Sequence, residues 1–446
     1  MFRTSALSCA WTVGFCALAV LIGCIPLVPY EDPSWPEEVL SSTPELPGRP
    51  DSAAQVTQPS ASSDRPQTAV LQHIEREPNN TWAQAELVAF DGQVQIIGSL
   101  AAGVGVKDID LFDLGPVLAG QRLQAELTSS GGSDVQIGLL DAQGRILAYI
   151  DPTSPTAGPG HVDIVLHESS ERLYVMIACR SSSISTRDYT AHISLQPDAL
   201  PSPRPQIVVL AFSGAGSVRI GSRAPVDVPP FDIASVNPAF AGRTEEAIER
   251  LMDMVREDYE GLGVEFYRDS DPAAPAEGVT TIYFGTSDTR LLGLADNIDP
   301  YNSNPTQSAI IYTDTFSLFN QLNPGFEATI QVLANVASHE AGHLLGLRHT
   351  ADPEDLMDVT ATARQMLADQ WFKTSPLHAS VLPAGVQDAP AMLAWSVGGS
   401  LSPATQLKLE ARRKAILPGD PEQDFYIPRS LLADCGCAEC DHGDAE

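Results

Sequence analysis

With 446 residues the chain is longer than one ordinary domain, for which ~100–200 residues is usual. A hydrophobic share of 43% and a mean hydropathy of −0.04 exclude wholesale disorder and a multi-span membrane protein. The 26 basic and 57 acidic residues give a formal charge of −31, which repels a phosphate backbone and argues against nucleic acid as a partner.

The chain opens with Met1-Phe2-Arg3 and an uncharged apolar run over residues 6–22, the n-region and h-region pattern of an export signal. The run closes on Leu21-Ile22-Gly23-Cys24, which resembles the lipobox of bacterial lipoproteins, although such boxes more often carry Ala or Ser where Ile22 stands. The resemblance implies that residues 1–23 are a signal peptide and that Cys24 is lipidated. It places the mature protein on a bacterial membrane, facing the periplasm or the exterior. The rival is an uncleaved anchor helix, since the uncharged residues 4–30 exceed the ~20 needed to span a bilayer. Residues 24–70, rich in Pro, Ser, Thr and acidic groups without apolar periodicity, read as a disordered tether.

From 71 to 196 short alternating segments recur between Gly, Asp and Ser clusters, near 93–100, 111–114, 122–127, 135–140, 146–150, 162–166, 173–178 and 189–195. Strands at such spacing predict an all-β antiparallel sandwich. The order Glu77-Pro78-Asn79-Asn80, Asp108-Ile109-Asp110-Leu111-Phe112, Leu140-Asp141-Ala142-Gln143-Gly144 and Leu173-Tyr174-Val175 resembles the bacterial pre-peptidase C-terminal domain. That family usually follows its peptidase, whereas here the segment comes first. Asp108, Asp110 and Asp113 are either candidate oxygen ligands for Ca²⁺ or solvated turn charges. Cys179 ends an apolar segment as a buried thiol. The Pro-rich residues 197–205 form a semi-rigid linker.

Residues 206–375 read as a mixed α/β domain. An apolar strand starts near Gln206, and Ile248, Leu251, Val255, Tyr259 and Leu262 share one face of a helix over 244–262, with Thr244 as its N-cap. Strands follow near 264–267, 279–284 and 308–313, and a second helix spans about 327–345. On it lies His339-Glu340-Ala341-Gly342-His343-Leu344-Leu345-Gly346-Leu347-Arg348-His349. His339 and His343 are one helical turn apart and project from one face. Gly346 supplies the positive φ that ends the helix, so His349 folds back as a third ligand. Three imidazoles leave the fourth tetrahedral position of Zn²⁺ open, as in a catalytic site.

The full pattern has a chance expectation on the order of 10⁻⁵ at ordinary composition. With Asp355-Leu356-Met357-Asp358 downstream, it resembles the metzincin zinc peptidases. The resemblance implies one catalytic zinc, Met357 in a Met-turn beneath it, Glu340 as general base and then general acid, and a peptide substrate paired along the strand at 308–313 as the sheet's edge. Asp352, Asp355 or Asp358 is a candidate hydrogen-bond partner for a ligating His, or else a loop charge. The role of the Tyr that follows the Met in some subfamilies is unassigned, because Asp358 stands there.

Residues 376–446 show no readable function. Their end, with Cys435, Cys437, Cys440 and His442, reads as a second zinc site, a disulfide plus a thiol, or a tail. The expectation is therefore a multidomain, lipid-anchored zinc endopeptidase acting on extracytoplasmic proteins. The alternative is a surface adhesion or binding protein whose metzincin-like domain is idle. Side-chain preference and oligomeric state are not encoded legibly.

Overall fold

A computed structural model of the chain describes residues 70–101, 108–130, 135–150, 161–179 and 186–401. Cys24, all but the last residue of the tether expected over 24–70, and the Cys435, Cys437, Cys440 cluster therefore lie outside the described residues. Among the described residues, no helix is long and apolar enough to cross a membrane.

The first part is a sandwich of two five-stranded sheets. One has the order β1 (Leu71–Ile74), β3 (Gln93–Leu100), β10 (Arg187–Pro197), β5 (Gln121–Ser129) and β8 (His161–Val165). The other runs β2 (Glu86–Leu87), β4 (Ile109–Asp113), β9 (Tyr174–Cys179), β6 (Val135–Leu140) and β7 (Ile146–Ile150). Cys179 is buried at the end of β9. Pairing is antiparallel except at the two edges, where β1 joins β3 and β2 joins β4 in parallel. These edge strands escape the sequence pattern because they are short and have no alternating buried face.

Strand β5 behaves as the alternation predicts, with Leu123, Ala125 and Leu127 turned into the core. In contrast, β4, β6 and β9 are buried along their whole length. Their inner residues, such as Phe112, Ile137 and Val175, fill the sandwich. Their outer residues, such as Leu111, Leu140 and Met176, pack against Leu377, Val381 and Leu382 of the following part. A Cβ at Gly138 would overlap the Leu382 side chain, so the bare backbone lets that segment sit flat on the sheet.

The second part is built on a five-stranded sheet in the order β14 (Val264–Arg268), β11 (Gln206–Ala211), β15 (Thr280–Phe284), β17 (Ser308–Ile311) and β16 (Gly293–Ala295). A small hairpin, β12 (Ala215–Val218) with β13 (Val226–Val228), projects after β11. The first four strands of the sheet are parallel, and β16 is an antiparallel edge. Residues 308–311 are thus the second strand from that edge, which corrects the expectation that the segment at 308–313 is the edge itself. The true edge is short and lies in a stretch without strand alternation, so tertiary pairing alone defines it.

Helix α1 (Thr244–Asp258) and helix α2 (Phe326–His343) bury Ile248, Leu251, Val255, Leu333, Ala334 and Ala337 in one core with Val208, Leu210 and Ile282 of the sheet. Thr244 is the first helical residue and not the cap. Its hydroxyl donates to Asp232 Oδ1 at 2.7 Å, tying α1 to the preceding turn.

The expected boundary at 375 is also corrected. Strands β18 (Thr374–Pro376) and β19 (Val386–Asp388) pair, and helix α3 (Ala389–Val397) puts Ala389, Leu393 and Val397 into the core of the α/β part. Residues 376–401 therefore belong to that domain, and their ladder-poor, Pro-containing sequence conceals a role that only packing reveals.

Candidate metal centre

Helix α2 carries His339 and His343 to its C-terminal end, and the backbone then reverses at Gly346, whose φ is +97°. A Cβ there would also come within 2.8 Å of Pro300 Cα, so both conformation and space require glycine. The reversal returns His349 to the helix. One ring nitrogen from each of His339, His343 and His349 lies within 4.8 Å of the others. His343 Nε2 and His349 Nε2 are 3.1 Å apart. Tetrahedral ligands at ~2.0–2.1 Å from zinc stand about 3.3 Å apart, so the donor set fits that ion.

The tautomers are set by the backbone. His339 Nδ1–H donates to Leu356 O at 2.6 Å and His343 Nδ1–H to Leu347 O at 2.8 Å. A carbonyl only accepts, so the proton sits on Nδ1 and the Nε2 lone pair remains for a metal. Burial lowers the pKa of all three rings, that of His339 to about 4. They are neutral ligands at pH 7 before any ion arrives.

For His339 and His343 the orienting partners are these backbone carbonyls and not the loop aspartates, contrary to one expectation. Asp355 accepts from the Met357 amide and the Thr350 hydroxyl, both at 3.1 Å, and Asp358 accepts from the Thr360 and Ala361 amides at 2.9 and 2.6 Å. They pin the turn around Met357, while Asp352 pairs with Lys373 at 2.7 Å. Burial raises Asp355 to about 7 and Asp358 to about 6. Buried carboxylates here are occupied with shaping the loop, and backbone carbonyls orient His339 and His343. Met357 is fully buried, and a Cβ at Gly342 would meet its Sδ at 2.7 Å. The absent side chain between His339 and His343 makes room for the sulfur floor.

Glu340 is 4% exposed, with its carboxylate against Gly293 of β16, where an added Cβ would overlap Oε1. Glu340 and His339 border a cavity of about 20 Å³ with Leu292, Asp358 and Met366, enough for one water-sized group. On either side of β16 the backbone of Leu292 and Asp296 bonds toward the β17 segment, through Tyr312 N–H to Leu292 O and Asp296 N–H to Ser308 O, each 2.9 Å. By strand alternation, the N–H and C=O of Gly293 and Ala295 face outward beside the metal centre.

Several positioning groups were not foreseen. Ser338 Oγ donates to Asp258 Oδ2 at 2.6 Å, and the Tyr259 hydroxyl donates to Ser338 O at 2.8 Å, clamping α2 immediately before His339. Gln387, fully buried, accepts from Arg348 N–H at 2.7 Å and donates to Arg348 O at 2.8 Å. His378 N–H donates to His349 O at 3.0 Å. The third ligand is therefore held by the segment expected to be functionless. No local signal in the sequence marks contacts made across 80 or 39 positions.

The calcium expectation fares differently. Asp113 accepts from the Gly115 amide at 2.9 Å and pairs with Arg172, at the far end of β4 from Asp108. Asp108, Asp110 and Asp113 thus form no common set, because alternate residues of an extended strand are spread along it. Asp110 instead groups with Glu75 and Glu77, one carboxylate oxygen of each lying within 4.8 Å of the others.

Comparison with known families adds a match to this geometry. Residues 288–370 match the Matrixin model, Peptidase_M10. The matched segment runs from before β16 through the triad to beyond Met357. Together, this match and the histidine cluster fit a metzincin-type zinc metallopeptidase in the α/β part. No curated protein is significantly similar to the chain. Solved structures that it resembles include archaemetzincin from Methanopyrus kandleri, at 13% identity over 37% of this chain and 86% of that one, with a TM-score of 0.22. The pre-peptidase C-terminal domain of Bacillus anthracis collagenase is 15% identical over 27% of this chain and 100% of that one, with a TM-score of 0.19. The periplasmic g-type lysozyme inhibitor PliG of Aeromonas hydrophila is 15% identical over 29% and 100%, with a TM-score of 0.20.

Proposed function

We propose that the protein is a zinc-dependent endopeptidase that cuts extracytoplasmic proteins, carried outside the cytoplasm by its leader and held at a membrane through Cys24. The observation that carries the peptidase reading is the convergence of His339, His343 and His349 beside Glu340 and an antiparallel sheet edge. The export reading rests on the sequence of the first residues alone.

His339, His343 and His349 would hold the zinc. A bound zinc supplies Lewis acidity, lowering the pKa of water toward ~7 and polarising a carbonyl. The protein's own groups do the rest. Outward backbone groups of Gly293 and Ala295 pair with an extended substrate, which fixes its carbonyl over the triad. Glu340, pressed against Gly293, takes a proton from the attacking water and returns it to the departing amine. The leaving amine would otherwise depart as an unstable anion, so this transfer drives the cleavage forward.

Replacing Glu340 with Gln removes the base while leaving the ligands intact. Peptide hydrolysis should fall by ~10²–10⁴-fold with the zinc content unchanged. Full activity in that variant, measured on a mixed peptide library with the cut sites sequenced, would refute the role of Glu340.

A further inference from the structure

The backbone of Arg348 lies between two parts of the metal centre. On one side Leu347 O accepts from His343 Nδ1–H, and on the other stands His349, the third ligand. Whatever holds residue 348 therefore holds both. Its side chain reaches out of the α/β part, with the guanidinium carbon 4.6 Å from the ring centroid of Tyr149 on β7. A guanidinium is attracted to the negative face of an aromatic ring. The Tyr149 ring is buried, and its hydroxyl donates to Gln136 Oε1 of β6 at 2.9 Å, which keeps the ring beneath the cation.

The backbone of Arg348 is gripped from the same direction. Gln387, which bonds both its N–H and its C=O, sits between Val386 and Asp388 on β19. Val386 N–H donates to Gly144 O at 2.9 Å, and Asp388 pairs with Arg145 at 3.5 Å. Strand β19 thus hangs on the turn between β6 and β7, and both the side chain and the backbone of Arg348 trace to the sandwich.

A second link reaches the glycine reversal from its other side. Asp299 N–H donates to His343 O at 3.0 Å, and Pro300 closes on Gly346. The next residue, Tyr301, has a φ of +62°, a left-handed conformation that a bulky side chain adopts only when its surroundings impose it. Its ring stacks on His167, just after β8, at 5.0 Å and 13°, and His167 stacks in turn on Trp395 of α3 at 5.5 Å and 16°. Between the two links lies a cavity of about 320 Å³, bordered by Tyr149, Ile164, Tyr301, Gly346, Arg348 and Met392. On that side the reversal faces open space instead of packed side chains, which leaves the two links to hold it.

We propose that Tyr149, acting through Arg348, and His167, acting through Tyr301, are positioning residues for the metal centre, which makes the β-sandwich a working part of the zinc site. The proposal rests on the zinc peptidase reading. The sandwich keeps residues 346–349 folded back, so that the third nitrogen stays beside the other two and the ion leaves slowly.

The test uses the full-length chain loaded with zinc and times the release of the ion to an excess of a colour-forming chelator. Tyr149→Leu removes the ring and should speed release about 10–100-fold, the usual scale for groups that orient a metal ligand. Tyr149→Phe keeps the ring and should release zinc at the wild-type rate. With cobalt in place of zinc, Tyr149→Leu should weaken the visible absorption of the tetrahedral ion, and Tyr149→Phe should leave it as it is. Arg348→Met should also speed release, and combining it with Tyr149→Leu should add little, because the two side chains make one contact. His167→Ala, at a partly exposed side chain, tests the second link even where Tyr149→Leu fails to fold, and should speed release as well. Ile96→Val in the sandwich core controls for lost stability: it should lower the melting temperature and leave release unchanged. A wild-type protein that takes up no zinc overturns the peptidase reading and this proposal with it. With one zinc in the wild type, unchanged release from Tyr149→Leu or from His167→Ala overturns this proposal alone. So does a Tyr149→Leu effect that Ile96→Val matches or that adds in full to that of Arg348→Met.

Discussion

The two clusters solve one electrostatic problem with opposite chemistry. In the α/β domain, burial strips the proton from His339, His343 and His349 and leaves neutral nitrogen donors. In the sandwich, burial keeps a proton on Asp110 and so neutralises an oxygen donor. Both clusters are tolerable in a buried place because each sheds charge, one by losing protons and the other by keeping one. The nitrogen set arises locally, from one helical turn and one glycine reversal. The oxygen set is assembled from a crossing segment and a strand in another sheet.

The strongest way to separate the clusters is His343→Ala. It should abolish zinc binding and peptidase activity, because two remaining imidazoles cannot hold the ion, while the Tyr189–Asp110 contact in the sandwich is untouched. Zinc retained at one per chain in that variant, by metal analysis, would break the comparison.

A smaller effect is expected at Gly293→Ala. The added Cβ takes the space of the Glu340 carboxylate, which swings aside while the triad is undisturbed. Activity should drop about 10–100-fold with zinc retained, since displacement of a reacting group by ~1 Å has that scale. Unchanged kcat/KM would mean that Glu340 does not work from its observed position.

The smallest expected effect is in pH dependence, where the two clusters have opposite signs. For His339, the folded pKa of about 4 lies below the ordinary 6.5, so the unfolded chain binds more protons between those values. Metal-free stability from this group therefore falls as pH drops through that window. For Asp110, the folded pKa of about 8 lies above 3.8, so the folded chain binds more protons between them. Its contribution is full below pH 4 and is lost as pH rises toward 8. Melting of the metal-free protein between pH 4 and 8 should show the acid-side slope weakened in His339→Gln and the alkaline-side slope weakened in Asp110→Asn. If both variants flatten the same side, the assigned protonation states are wrong.

Legibility followed locality. The nitrogen donors, Glu340 and Met357 were identified from a run of 19 residues, because a helical turn, a glycine and a short loop fix their relations with little help from the rest. The strands of the sandwich that face solvent on one side, such as β5, declared themselves by alternation. Strand β16 did not, since three residues carry no period, and it took the neighbouring β17 to define it as the edge. Gln387, His378 and Asp258 gave no sign of their roles, because a hydrogen bond across the fold leaves no spacing to read.

The amino-acid order alone therefore determined the identity of the metal-binding nitrogens and the class of chemistry they support, because a helix turns the interval of four into adjacency. Tertiary structure decided which strand borders the site, which groups steady it, and that Glu75, Glu77 and Asn79, not Asp113, keep company with Asp110. Those are relations between segments distant along the chain, and the free energy that sets them comes from burying whole faces together, which no local pattern records.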